Sequence, residues 1–114
     1  MLHSIMTDAN YLLVLVTCPP ERAPGLARTL VEDRLAACVN ILPAVRSIYS
    51  WKGEVCDDGE ALLVVKTRAS LFDALRGAIV AGHPYEVPEV IAIPIVAGSQ
   101  PYLDWLASST RDPA

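Results

Sequence analysis

Seven consecutive residues, His83-Pro84-Tyr85-Glu86-Val87-Pro88-Glu89, bring an imidazole, a phenol and two carboxylates into one short stretch between a helical pattern and an apolar run. Pro84 and Pro88 fix their own φ and push His83 and Val87 out of the helical region, so the stretch is expected to be extended and stiff. A stiff backbone at the end of a helix presents such side chains to a ligand or to a neighbouring subunit. The competing reading is a connector in which Gly82 closes the helix and the prolines only steer the exit. Lys66 is the next residue of interest, because it ends the aliphatic run Ala61-Leu62-Leu63-Val64-Val65. A lysine buried there without a partner costs several kcal/mol, so it calls for a carboxylate, with Glu89 or Glu54 as candidates, or for a ligand anion.

Other residue types narrow the chemistry. Cys38 sits in an apolar stretch and reads as a small buried hydrophobe, and Cys56 reads as more exposed and oxidisable. His3, near the amino terminus, reads as an adventitious ligand. The sequence holds no GxSxG, Walker or GxGxxG motif, and two histidines make a catalytic triad improbable, so no enzymatic activity is expected. A net charge of -4 supplies no cationic footprint for phosphate backbones, which argues against nucleic acid and against anionic membrane. Three widely spaced cysteines form neither a disulfide framework nor a zinc site and fit a reducing compartment, hence a cytoplasmic protein. No segment approaches a membrane span.

The elements that must position these residues follow from periodicity. Tyr11–Thr17 is a continuous apolar run, expected of a central strand covered on both faces. Ala23, Leu26, Ala27, Leu30, Val31 and Leu35 form the stripe of a first helix. Ala36–Lys52 reads as extended, interrupted at Pro43, with Val45, Ser47, Tyr49 and Trp51 alternating against Arg46, Ile48 and Ser50. Lys52-Gly53 turns the chain, Asp57-Asp58-Gly59 suggests a bulge, and 61–67 returns as a second buried strand. Ser70 is the expected cap of a second helix that Gly82 stops. Val90–Val96 is a last strand which Pro94 places at an edge, and a short helix carrying Tyr102, Leu103, Trp105 and Leu106 closes the chain.

The order predicts an α+β, ferredoxin-like βαββαβ sandwich with a C-terminal helix and a long hairpin between its second and third strands. One domain spans 1–114, with 1–10 a flexible amino-terminal segment. A hydrophobic content of 53% and the long hairpin's unpaired edges point to self-association.

Arg34-Leu35-Ala36-Ala37-Cys38-Val39-Asn40, Ser47-Ile48-Tyr49-Ser50-Trp51-Lys52-Gly53-Glu54, Leu63-Val64-Val65-Lys66-Thr67, His83–Glu89 and Tyr102-Leu103-Asp104-Trp105-Leu106 occur in this order. With them the chain resembles the CutA divalent-cation tolerance family from about Tyr11 to Ser108. The resemblance implies a tight homotrimer and weak binding of Cu(II) or another divalent cation. It carries His83 over as a metal ligand. Gly82 stands at the family example's second histidine and Val16 at its cysteine, with Cys18 two residues on as the remaining thiol. Copper or zinc wants three or four nitrogen or thiolate donors at about 2.0 to 2.3 Å, so Glu86, Glu89 or a neighbouring subunit would complete the set. The resemblance also implies a small-ligand cleft between subunits near Trp51, Lys66, Tyr85 and Glu89. A PII-like trimer binding a small anionic effector there is therefore the alternative to a metal-response protein. An acylphosphatase-like hydrolase would need an anion-cradling loop, for which Cys18-Pro19-Pro20 offers few backbone donors.

Overall fold

The computed structural model describes residues 4–113. Its strands and helices, in chain order, are β1 (Ser4–Met6), β2 (Tyr11–Cys18), α1 (Ala23–Glu32), β3 (Cys38–Trp51), β4 (Glu54–Arg68), α2 (Phe72–Gly82), β5 (Val90–Pro94), β6 (Ala97–Ser99) and α3 (Gln100–Ser108). Four of these strands form an antiparallel sheet in the order β3-β4-β2-β5, which leaves the two apolar runs in the middle as the sequence predicts. The fold is the expected ferredoxin-like α+β sandwich.

Alternation divides the central strands into two faces. Val14, Val16 and Cys18 on β2 and Ala61, Leu63 and Val65 on β4 turn to the helices and are buried against Ala23, Leu30, Leu75 and Ile79. Thr67, also fully buried, donates its hydroxyl to the carbonyl of Leu35 at 2.7 Å, so its polar atom is satisfied. The opposite face carries Leu13 and Leu15, Leu42, Leu62 and Val64, and Ile91 and Ile93. α1 and α2 do not cover it, and Leu42, Ile91 and Ile93 remain 43%, 54% and 48% exposed. The expectation that β2 is covered on both faces therefore holds for one face within a single chain.

Local entries and exits differ from expectation in instructive ways. Ser70 does not cap α2: a 3₁₀ turn over Ala69–Leu71 leads in, and Leu71 occupies the cap position without a side-chain bond. The exit of α2 is not a left-handed glycine either, because His83 is already extended at φ -98° and ψ 137°, as a residue preceding proline must be. α1 ends at Glu32, three residues before Leu35 closes the apolar stripe, and the chain turns away through Arg34 at φ 56°. That left-handed conformation is held by the carboxyl-terminal segment, where Arg111 donates its backbone N–H to the Arg34 carbonyl at 2.8 Å and the Arg34 guanidinium donates to the carbonyl of Ser108 at 2.8 Å. Arg68 secures the same segment through Thr110 and Asp112, so the chain is tied down past α3.

The amino-terminal segment expected to be flexible includes β1, which pairs with β6 from Ser4 opposite Ser99 to Met6 opposite Ala97. Thr7 extends the junction with a backbone bond to Val96 and a hydroxyl bond to the Ile95 carbonyl. His3 lies outside the described residues.

Pro43 does not end its strand. β3 runs on to Trp51, and the irregularity is a register shift between Leu42 and Val45. Asp57, Asp58 and Gly59 pair regularly with Ile48, Ser47 and Arg46, so the bulge expected there lies on the other strand. The turn itself is Lys52-Gly53 at φ 50° and 81°, two positive values that match a two-residue turn of the right-handed twist. Beyond Cys18, β3 and β4 have no β2 beside them and continue as a two-stranded arm. The arm stretches the molecule to 50 × 26 × 21 Å and the radius of gyration to 15.0 Å, against about 13 Å for a compact chain of this length.

Candidate functional site

The 83–89 segment has no regular secondary structure and runs from the end of α2 past the end of β2 into β5. Its first residue is locked in place. The Tyr85 backbone N–H donates to His83 Nδ1 at 3.1 Å, which leaves Nε2 as the protonated nitrogen, and Nε2 donates to the Thr17 carbonyl at 2.7 Å. The His83 and Tyr85 rings meet at 4.6 Å between centroids. Both imidazole nitrogens are engaged, and neither offers a lone pair outward.

Cys18, the other expected metal donor, is fully buried on the helix-facing side of β2. Burial, with the charge of Glu60 adding to it, pushes its thiol above the ordinary range, which opposes the thiolate that a metal needs. Within this chain His83 is thus a doubly hydrogen-bonded imidazole and Cys18 a buried thiol. Among the described residues no three His, Cys, Asp or Glu side chains converge as a ligand set.

Tyr85 points the other way, under the arm, and donates its hydroxyl to Glu60 Oε2 at 3.0 Å. Glu60 is only 5% exposed, although the sequence singled out no chemistry for it. Burial first, then the hydrogen bond to Glu60, pushes the Tyr85 phenol up to about 12. Glu89 stands close enough for Glu60 to act on it: burial first and the Glu60 charge second raise its carboxyl above the usual range.

These residues line an open cleft of about 1030 Å³ between the arm, the 83–89 segment and Pro19-Pro20-Glu21. Its wall holds five carboxylates, Glu21, Asp58, Glu60, Glu86 and Glu89, and one guanidinium, Arg46. Arg46 is already committed, donating through two nitrogens to Asp57 at 2.8 and 2.7 Å. Tyr49 donates its hydroxyl to Asp58, which holds that phenol above its ordinary range. At the outer end Lys52 approaches Glu86 at 3.7 Å, an exposed pair of small energetic weight.

Of the four residues expected around a cleft between subunits, Trp51, Tyr85 and Glu89 line the cleft of this chain, and Lys66 lies elsewhere in the same chain. Lys66 sits opposite Leu13 and Cys38 in mid-sheet, twelve residues along β4 from Glu54, the partner of Trp51, or roughly 40 Å of strand. Neither Glu89 nor Glu54 pairs with it. Its ammonium lies 5.9 Å over the Tyr102 ring. The residue missed by sequence reasoning is Glu60. Its signal was a carboxylate in period two with Leu62, Val64 and Lys66, directly before the buried run.

The profile of the CutA1 divalent ion tolerance protein family matches residues 12–109. A divalent-cation tolerance protein CutA of Thermus thermophilus is 52% identical over 99 residues, covering 86% of this chain and 96% of that protein. A solved structure of a divalent cation tolerance protein from the same organism superposes with a TM-score of 0.86 at 51% identity, covering 89% of this chain and 99% of that one. Protein CutA 1, chloroplastic, of Oryza sativa is 47% identical over 112 residues; the chain spans 63% of its length, and 97% of this chain is covered. A PII-like protein CutA from Nostoc sp. superposes with a TM-score of 0.82 at 38% identity, covering 88% of this chain and 97% of that one.

Proposed function

The chain belongs to the CutA1 divalent ion tolerance family, and from that premise we propose that it is a homotrimeric divalent-cation response protein which binds cations weakly in the acidic cleft beneath its hairpin arm. One observation carries this reading: five carboxylates face a cleft whose single guanidinium is already paired. Such a potential attracts cations and repels anions. Oxygen donors at an open, hydrated site suit weakly held divalent ions better than the tight nitrogen and sulfur set that copper selects. Copper at His83 would first have to break the bonds to Thr17 and Tyr85. The role is one of binding rather than catalysis.

The homotrimer reading is supported by the apolar sheet face that α1 and α2 leave open and by the arm. Three free cysteines fit residence in a reducing cytoplasm. Among the described residues no helix is long and apolar enough to cross a membrane. The alternative of an anionic effector held between subunits near Trp51, Lys66, Tyr85 and Glu89 meets an unfavourable potential on the side this chain supplies, because carboxylates dominate the wall of its cleft.

Calorimetric titration of the full chain, carrying His3→Gln to remove an adventitious imidazole, tests the reading with Zn(II), Cu(II), Ca(II) and Mg(II). Saturable binding is expected that survives His83→Ala and is lost in Glu60→Gln/Glu89→Gln. Binding that disappears with His83 alone would return the site to the imidazole, and an absence of saturable binding would remove the cation role.

A further inference from the structure

Arg34 closes two helices with one residue. At the end of α1 the backbone follows a Schellman pattern: the Leu35 N–H donates to the Leu30 carbonyl and the Arg34 N–H to the Val31 carbonyl, both at 3.0 Å. That pattern puts Arg34 in the left-handed position, at φ 56°, where glycine is the residue of least strain. Its side chain explains why an arginine stands there instead. The guanidinium donates to the carbonyl of Ser108, the last residue of α3, at 2.8 Å, and so satisfies an acceptor that a helix end leaves free. The Arg34 carbonyl in turn accepts the Arg111 N–H at 2.8 Å. Arg68, at the end of β4, grips the same segment. Its Nε donates to the Thr110 hydroxyl at 2.9 Å, and a second nitrogen donates to the Arg111 carbonyl. Thr110 is 3% exposed and shares its own hydroxyl hydrogen between the carbonyls of Leu106 and Ala107, both at 3.1 Å.

α3 depends on such anchors. It has nine residues, too few for a helix that is stable by itself. Leu103 and Leu106 are its buried side chains, and neither belongs to the core that joins the sheet to α1 and α2. We propose that Arg34 and Arg68 form a clasp, and that α3 with the segment after it is a strap which opens as one unit while α1, α2 and the four-stranded sheet stay folded. Units outside the main core open at a lower free energy than the whole molecule. α3 also carries Tyr102, whose ring lies 5.9 Å from the Lys66 ammonium. Opening the strap removes that ring, so the clasp sets how often Lys66 stands free of its aromatic cover.

Native-state hydrogen exchange on the full chain tests the strap. In the wild type the amides of 104–111 are expected to exchange together, and faster than those of β2, β4 and α1. Arg34→Gly keeps a residue suited to the left-handed turn and removes the guanidinium. It is expected to speed exchange over 104–111 about tenfold, as the loss of a charged hydrogen bond does, and to leave the Leu35 amide as protected as before. Arg68→Met is expected to speed the same amides without touching α1. If Arg34 mattered only for its turn, Arg34→Gly would protect α1 better and leave 104–111 unchanged, and that result overturns the clasp. Amides of 104–111 that exchange in step with the sheet in the wild type overturn the strap as a separate unit, and a variant that speeds exchange equally everywhere does the same. The chain has two lysines, and Lys52 is exposed, so it serves as the internal reference for acetylation of Lys66 by acetic anhydride, read by mass spectrometry. Acetylation of Lys66 is expected to accelerate in Arg34→Gly along with the exchange; an unchanged rate overturns the coupling to Lys66.

Discussion

Tyr85 donates a hydrogen bond from its hydroxyl to a carboxylate that is itself almost out of water, and that arrangement sets the electrostatics of the cleft. Burial and the Glu60 acceptor together hold the phenol at about 12. Glu60→Gln removes the charge and weakens the bond but leaves the burial, so the Tyr85 titration is expected to move part of the way back toward the ordinary tyrosine range, as ultraviolet titration can follow. Glu89 responds to the same neighbour. Its carboxyl is raised, so the folded state holds the proton more tightly than the unfolded chain does. Stability from this group is present in acid and lost as pH rises from the ordinary carboxylate range through the raised value. Glu89→Gln is accordingly expected to stabilise at neutral pH, by less than about 1 kcal/mol given the exposure of the side chain, and to change nothing in acid. Urea melts at both pH values check this; a variant less stable at neutral pH would show that the ionised carboxylate has a favourable partner in the assembly. His83 illustrates the limit of residue typing. Its position was legible from the prolines, but whether its nitrogens face a ligand or the backbone depends on where the end of β2 sets the Thr17 carbonyl.

At the scale of elements, the arm and the sheet's open face were legible as patterns: two aliphatic runs, one alternating stretch, and a Lys-Gly turn. The placement of irregularities was not. Pro43 looks like a strand breaker, yet Leu42 and Val45 absorb it as a register shift, and the Asp-Asp-Gly stretch that resembles a bulge is held in register by the Arg46–Asp57 and Tyr49–Asp58 pairs. Cross-strand pairing supplies information that a single strand's sequence lacks. The amino-terminal strand was missed for the same reason, since three residues acquire their structure from β6, which lies more than ninety positions away. The β6–α3 junction is tight: a Cβ added at Gly98 would stand 3.1 Å from three atoms of the Leu103 side chain. Gly98→Ala is expected to cost about 1 kcal/mol, because the buried Leu103 must shift. A urea midpoint unchanged from wild type would show that the junction yields freely.

For the whole molecule, the fold followed from element order and the right-handed crossover rule, whereas the site did not, because two of its determinants belong to different scales. Glu60 acquires its meaning from a phenol twenty-five residues away, and Lys66 has its ammonium over the ring of Tyr102, on a helix thirty-odd residues further on. One chain leaves Leu42, Ile91 and Ile93 in water beside Leu13, Leu15, Leu62 and Val64, an apolar area that a solitary soluble domain of this size rarely exposes. Covering that face with copies of the chain accounts for the apolar composition and the arm at once. The mass of the wild-type full chain in solution, measured by light scattering at micromolar concentration, tests this most directly. Three times 12.3 kDa is the expected result, and a stable species of 12.3 kDa would contradict the account.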